Sequence, residues 1–424
     1  MKKTLFILIH TLLFAVVPNT GLKHYQEKYS VCKGKTNYQI SQCLLNGNLN
    51  YSGLAGEQYS YKKFSENKIK KAARNGKGYD YTMKHLPQTK RYTGLKEYLD
   101  HLYAIKKQYT VPEFKGDEAE DIIRIKKVFN LLQSAGLEED SNRTAAFETE
   151  LLEYQKRHGL TADGDVGPRT KEALKSSIYS IITKIKKNLT LERISSKKGS
   201  HYVLVNIPEF KMHYYKNNKP VLNMKVIVGK TKNRTPVFNR KMQYIVKNPR
   251  WNVPSSIYEK EYADKSKSYL RKKDFAYNSK GKLYQKPGKK NALGVVKFLF
   301  PNKFAVYMHD TPAKSLFNRN VRAFSHGCIR LEKPIALLNK LGYSYKTKKN
   351  TWITLKNKIP VFIEYHTAWV DDNGIVQFRN DIYDYEKKLF NKVAYRSAST
   401  KVSKKKKVKK RRKKVKKQNV LELF

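Results

Sequence analysis

The chain has 424 residues, with 88 Lys and Arg against 35 Asp and Glu, a formal net charge of +53 and a pI near 10.0. That length accommodates two or three domains with a proper core, and so basic a balance selects anionic partners. Nucleic acid is the usual partner of such charge, and the N-terminus argues against it. Lys2 and Lys3 precede an uncharged apolar run from Leu5 to Val17, with no further charge until Lys23. A positive n-region followed by an h-region marks the secretory route. Residues 1–21 therefore read as a signal peptide or signal anchor. Val16-Val17-Pro18-Asn19-Thr20 has no clean small-x-small site, and the run is short for a full span, so both readings stay open. No later stretch is long and apolar enough to cross a bilayer, which places the chain after about residue 22 outside the cytoplasm and leaves no nucleic acid to bind. Of the three cysteines, Cys32 and Cys43 are close together and far from Cys328, so an oxidising compartment pairs them and leaves the third free.

Residues 22–112 are rich in Lys and Tyr. Tyr98, Leu99, Leu102, Tyr103 and Ile105 recur at helical spacing, which predicts a helical scaffold closed by Val111-Pro112. Residues 113–180 carry three helical stripes: Ile122, Ile125, Phe129 and Leu132; then Phe147, Leu151 and Tyr154; then Ala173, Leu174, Ile178 and Ile181. Gly136 and Gly159 read as the stops of the first two, and Pro168 opens the third. Asp163-Gly164 reads as a turn and Thr170 as a capping side chain. Residues 181–199 read as a connecting segment. From residue 200 to 366 the period becomes strand-like, in short runs at Tyr202–Ile207, Phe210–Tyr215, Met224–Val228, Met242–Val246, Val295–Phe300, Phe304–Met308, Trp352–Leu355 and Val361–Tyr365. The expected fold class is α+β, with a β-sandwich-like or barrel-like domain behind a helical scaffold. A charged insertion near 255–290 interrupts the strands. A C-terminal extension spans 367–400, and residues 401–424 hold a run of like charge that repels itself and predicts disorder. Such a tail can rest on anionic membrane or wall polymers.

The chemistry concentrates between Tyr307 and Pro334, where His309 lies about twenty residues ahead of Cys328 in Ser325-His326-Gly327-Cys328. The run FAVYMH predicts a strand ending at His309, and Pro334 opens a helix, so the thiol is expected on a strand-to-helix loop. A thiol attacks only as thiolate, and one of pKa about 8.5 needs an imidazole or a backbone dipole beside it. His326 would have to curl around Gly327 to reach the sulfur, whereas His309 approaches from a neighbouring strand end. His309 is therefore assigned as general base. The N–H groups of Gly327 and Cys328 offer an oxyanion hole, and Arg330 offers a planar fork for a substrate carboxylate. A zinc site from His309, His326 and Cys328 lacks the usual paired spacings and a fourth ligand, so neither metal nor cofactor is expected. Trp251 and Tyr307 stand as candidates for a substrate groove, with core packing as the competing reading.

This histidine, gap and Ser-His-Gly-Cys-apolar-Arg pattern resembles the signature of the YkuD-type L,D-transpeptidases. Val205-Asn206-Ile207-Pro208, Thr235-Pro236, Asn248 to Pro254 and Asn291-Ala292-Leu293-Gly294 resemble in particular its large multidomain YcbB-like branch. The resemblance implies Cys328 as nucleophile, His309 as base and the Asp310 carbonyl as the group that steadies the imidazole. It also implies that Ser325, His326, Gly327 and Arg330 shape the pocket, and that the 255–290 insertion caps it as a lid. Tyr154-Gln155 through His158-Gly159-Leu160, Asp163-Gly164 and Thr170 resemble the small three-helix peptidoglycan-binding domain. The function implied is a periplasmic, exported, carbapenem-sensitive enzyme. It would cut the D-Ala from tetrapeptide stems through a thioester and make 3-3 cross-links between diaminopimelate residues. Water as acceptor, giving an L,D-carboxypeptidase, and attachment of an outer-membrane protein share the same residues. A wall-binding protein without catalysis is the reading from another class, and the intact His309, Gly327, Cys328 and Arg330 set argues against it.

Overall fold

The computed structural model describes residues 20–47, 63–195, 198–346 and 349–390. Residues 1–19 of the stretch 1–21 read as a signal peptide or signal anchor, the end of the 367–400 extension and the basic tail at 401–424 lie outside the described residues. The described residues form two compact units, one of residues 20–47, 63–195 and 365–390, the other of residues 198–364.

The first unit is helical. After the helical residues 20–29 come α1 (Asn37–Asn46), α2 (Glu66–Arg74), α3 (Gly78–His85), α4 (Lys90–Ile105), α5 (Glu118–Gln133), α6 (Ala145–Arg157), α7 (Pro168–Leu174) and α8 (Ile178–Ile194). Thr89, Asp117, Thr144 and Ser177 cap α4, α5, α6 and α8 by accepting from backbone N–H groups that the first turn leaves unpaired. Leu95, Leu99 and Leu102 of α4 share one core with Ile125 and Phe129 of α5, Phe147 and Leu151 of α6, Ile182, Ile185 and Leu189 of α8, and Ala368 and Val370. Each such side chain contributes about 1.5–3 kcal/mol by leaving water. Scaffold, three-helix segment and the start of the C-terminal extension thus pack together. Much of the stretch read as a connecting segment at 181–199 is helix α8, because Ile178, Ile182, Ile185 and Leu189 recur at helical spacing. Cys32 and Cys43 are joined as a disulfide in this unit.

Details of the helices differ from the sequence reading for local reasons. The third stripe divides between α7 and α8, since the Ser177 hydroxyl takes the Ser180 N–H and starts a new helix. Helix α5 stops at Ser134, which itself adopts the left-handed conformation (φ 54°), ahead of Gly136. Helix α6 does end at Gly159 (φ 67°): the Leu160 N–H reaches the Gln155 carbonyl and the Gly159 N–H that of Lys156. Gln155 is fully buried and holds the following loop, donating to Asp163 Oδ1 and the Asp165 carbonyl at 2.9 Å each and accepting from the Gly164 N–H at 3.0 Å. Thr170 donates to the Asp165 carbonyl at 3.1 Å, so its hydroxyl ties the loop instead of capping α7.

The second unit is built on strands: β1 (Tyr202–Asn206), β2 (Lys211–Lys216), β3 (Lys219–Gly229), β4 (Phe238–Lys247), β5 (Trp251–Asn252), β6 (Phe275–Tyr277), β7 (Leu283–Gln285), β8 (Val296–Leu299), β9 (Met308–His309), β10 (Ala323–Ser325), β11 (Ile329–Leu331) and β12 (Thr351–Glu364). Asn217 and Asn218 (φ 53° and 60°) make the tight β2–β3 turn, as two consecutive left-handed residues do in hairpins. Nine strands hydrogen-bond in the order β10-β3-β11-β9-β8-β4-β12-β1-β2, and β2 pairs again with β3. The β-rich domain therefore runs as one closed circuit of hydrogen-bonded strands. Its cause is the length of β3, whose eleven residues pair in turn with β2, with β11 at Val226–Ile227 and with β10 at Val228–Gly229.

Three strand expectations are corrected. Phe304–Met308 is mostly a turn, because the Asn302 side chain accepts the Phe304 and Val306 N–H groups and Ala305 is left-handed (φ 52°). The runs at Trp352 and Val361 are one strand, β12, whose register shifts between Thr354 and Ile359; Lys356-Asn357-Lys358 marks an irregularity and not an end. The thiol lies on the short link between strands β10 and β11, and the helix Pro334–Lys340 begins only after β11.

Candidate active site

Register assembles the site. Lys297 of β8 lies opposite His309 of β9, and His309 in turn lies beside Arg330 of β11. Side chains so paired project from one face, with Cβ atoms about 4.5–5.5 Å apart. Alternation puts Tyr307 on the same face as His309, and Cys328 on the same face as Arg330. The Ile329 N–H donates to the Tyr307 carbonyl at 3.0 Å, which draws the Cys328 end of its loop to Tyr307. Cys328 Sγ is partly buried, lies 3.8 Å from the Ala305 carbonyl oxygen and shares a hydrogen bond with the Tyr307 phenol. Thiol, phenol, imidazole, ammonium and guanidinium thus meet on one face.

The loop is held from beneath. Ser325 Oγ donates to the Cys328 carbonyl at 2.6 Å and accepts the Gly327 N–H at 3.0 Å. The Gly327 N–H is therefore engaged and does not serve an oxyanion hole. The Cys328 N–H, by contrast, has no acceptor among the described residues. Gly327 adopts φ 119°, which side chains rarely tolerate. Thr235, fully buried, donates its hydroxyl to the Gly327 carbonyl and accepts the Gly229 N–H, both at 2.8 Å.

His309 Nδ1 lies 2.5 Å from the Asp310 carbonyl, so Nδ1 carries the hydrogen and Nε2 is left as acceptor. The Asp310 carboxylate accepts from the Val295 N–H at 2.9 Å and pairs with Lys314 at 2.6 Å. Gly294 leaves space for it: a Cβ there would stand 2.2 Å from Asp310 Oδ2. Burial, then the Arg330 charge and more weakly that of Lys297, push the His309 pKa down to about 3, against the hydrogen bond to Asp310. Burial pushes the Cys328 thiol up to about 11, opposed by Tyr307, Arg330 and Lys297. At neutral pH the pair is imidazole and thiol, so the proton has to be transferred during attack. Burial lowers Arg330 as well, opposed by the charges of Cys328 and Glu261, and its Nε–H meets no acceptor among the described residues.

The insertion at 255–290 contributes one acidic side chain. Glu261 Oε1 lies 2.7 Å from Nε2 of His326, which is exposed and turned away from a base role. Trp251, a groove candidate, is 8% exposed and packs with Leu270, Phe275, Leu283 and Leu293, so it belongs to the insertion's core. Tyr307 stays at the thiol. Lys297, Thr235 and Glu261 were not singled out by the sequence. Thr235 and the neighbourhood of Gly294 were legible only as segments resembling a family. No group of three or more His, Cys, Asp or Glu side chains able to hold a metal is present among the described residues.

Residues 200–363 match the YkuD family model, described as the L,D-transpeptidase catalytic domain. The chain is 33% identical over 221 residues to a Haemophilus influenzae protein named "Putative L,D-transpeptidase", covering 44% of this chain and 45% of that protein. It thus spans under half the length of that curated relative. Among solved structures, it is similar to the catalytic domain of the E. faecium L,D-transpeptidase, at 17% identity and a TM-score of 0.24 over 40% of this chain and 100% of that one. It is also similar to an L,D-transpeptidase from Stackebrandtia nassauensis, at 14% identity and a TM-score of 0.27 over 60% of this chain and 96% of that one.

Proposed function

We propose that this protein, whose residues 200–363 match the L,D-transpeptidase catalytic domain, is a peptidoglycan L,D-transpeptidase with Cys328 as nucleophile. The observation that carries the reading is the His309 imidazole, held by the Asp310 carbonyl on the same sheet face as Cys328. Cys328 Sγ attacks the carbonyl between diaminopimelate and the terminal D-Ala of a tetrapeptide stem. His309 Nε2 takes the thiol proton and returns it to the departing amine, D-Ala leaves, and a thioester remains. The Cys328 N–H supports the oxyanion, and the unpaired Nε–H of Arg330 takes a stem carboxylate. The amine of a neighbouring stem then attacks the thioester, and its proton passes through His309 to the sulfur. The products are a 3-3 cross-link and the free thiol.

The proposal extends to the rest of the chain. We place the protein in the multidomain YcbB-like branch and outside the cytoplasm. Residues 113–180 hold peptidoglycan, and the basic tail at 401–424 rests on anionic polymer. The test is intact-mass spectrometry with a carbapenem, beside Cys328→Ala, together with muropeptide analysis of tetrapeptide-rich sacculi. One adduct on the wild type alone, with 3-3 dimers accumulating, supports the reading. Tripeptide monomers instead would make water the acceptor. A folded protein that gains no adduct and leaves muropeptides unchanged would sink the enzyme.

A further inference from the structure

Lys297 is 2% exposed, which is costly for an ammonium group and calls for a reason. Its place in the register supplies one. On β8 it lies opposite His309, which lies beside Arg330, so the imidazole has a cation on each side. A histidine between two cations is neutral in the resting enzyme, so no standing imidazolium offsets a thiolate, and the proton it takes during attack is held only briefly. The negative charge that develops on Cys328 therefore needs another counter-charge. The Lys297 ammonium stands 5.5 Å from the Tyr307 ring centroid, and Tyr307 itself hydrogen-bonds the thiol.

We propose that Lys297 supplies, with Arg330, the counter-charge of the Cys328 thiolate, a supporting role in which it acts through the sulfur without touching substrate. The inference rests on Cys328 being the nucleophile. Burial lowers the Lys297 pKa to about 8, opposed by the charge of Cys328, so the side chain is still cationic at neutral pH and loses its charge a little above it. The groups that act on the sulfur are Tyr307, Lys297 of β8 and Arg330 of β11, and His309 of β9 lies between the two cations. Glu261 of the insertion, paired with His326, acts on Arg330.

The test uses the full chain and needs no substrate. With Cys32 and Cys43 paired, iodoacetamide reads Cys328 alone, and Cys328→Ala gives the blank. Alkylation rates are measured across about pH 6 to 10, where thiolate fraction sets the rate. Lys297→Met and Lys297→Gln are expected to slow alkylation about ten-fold near neutral pH, a deficit that shrinks above about pH 8 as Lys297 of the wild type loses its own charge. Lys297→Arg, which keeps the charge, should remain close to wild type. Thermal unfolding of each variant verifies the fold. Profiles of Lys297→Met and Lys297→Gln that superpose on wild type overturn the proposal, and so does a Lys297→Arg profile that shifts as far as theirs. If the profiles shift as expected while sacculi stay unchanged, the peptidoglycan reading fails and the role of Lys297 stands.

Discussion

His309 titrates far below the ordinary histidine range because it is buried between Arg330 and Lys297, and this has two pH effects of different kinds. The base form is present through the whole neutral range, so the acylation rate should stay flat as pH falls from 7 to about 5, where an ordinary histidine of pKa about 6.5 would already have lost most of its activity. A carbapenem acylation rate that halves near pH 6.5 would show that the imidazole is not so enclosed. His309→Gln should lower that rate by about 10²–10⁴-fold, the usual worth of a general base. Stability moves as well. The unfolded chain takes up this proton near pH 6.5 and the folded chain does not until about pH 3, so the unfolded state binds more protons between them. The contribution is therefore lost as pH falls through that window. Lys297 has the same direction of shift in a higher window: stability rises with pH between its folded value of about 8 and the unfolded value of about 10.4. At neutral pH the buried charge is a net cost, so Lys297→Met should stabilise the fold by about 1–3 kcal/mol, measured by chemical denaturation at pH 7. The chemistry-bearing residues Cys328, His309 and Arg330 were legible because a nucleophile, a base and a fork come from few side-chain types. Lys297 was not, since one lysine among so many carries no mark of burial until β8 and β9 are set in register.

At the scale of elements, the nucleophile's link is short because β10 and β11 leave only His326, Gly327 and Cys328 between them, and β3 pairs with both strands. Thr235 connects this link to the end of β3 through its bonds to Gly327 and Gly229. Gly229 is closely covered, since a Cβ there would stand 2.0 Å from the Asn233 carbonyl. Thr235→Val keeps the shape and removes both bonds, leaving the buried Gly229 N–H and Gly327 carbonyl without them. Such a loss costs about 1–3 kcal/mol, and the measurement is a denaturation midpoint together with the carbapenem acylation rate. Both should fall; an unchanged acylation rate would mean that the link keeps its geometry without Thr235. Strands were legible where apolar residues run together, as in β1, or alternate, as in β2. They were misread where a side chain competes with the ladder, as Asn302 does before β9, or where polar residues form a bulge, as in β12. Closure of the circuit was hidden for a different reason: it depends on partners of β3 that lie about a hundred residues further along the chain, and no local pattern records them.

Across the whole molecule, the two units have different kinds of core, one of packed helices and one of a closed β circuit. The helical unit contains the Cys32–Cys43 disulfide, and Cys328 of the other unit is a free thiol. A bond across eleven residues restricts the unfolded chain and stabilises by about 2–4 kcal/mol. It acts on the unit that contains it, because that unit's chain is the one whose unfolded freedom it limits. Reduction, or Cys32→Ser with Cys43→Ser, should therefore weaken hydrogen-exchange protection in α4, α5 and α8 while leaving β4, β8 and β12 unchanged. Peptide-resolved exchange reads both at once. Protection that falls equally in both sets would show that the units unfold as one cooperative body, and protection that falls in neither would show that the helical core holds without the bond. If the helical unit alone responds, Cys328 should be alkylated at the same rate with and without the disulfide, since its surroundings come from the β circuit and the insertion. That rate, measured beside the exchange, reads whether the chemistry of one unit is independent of the stability of the other.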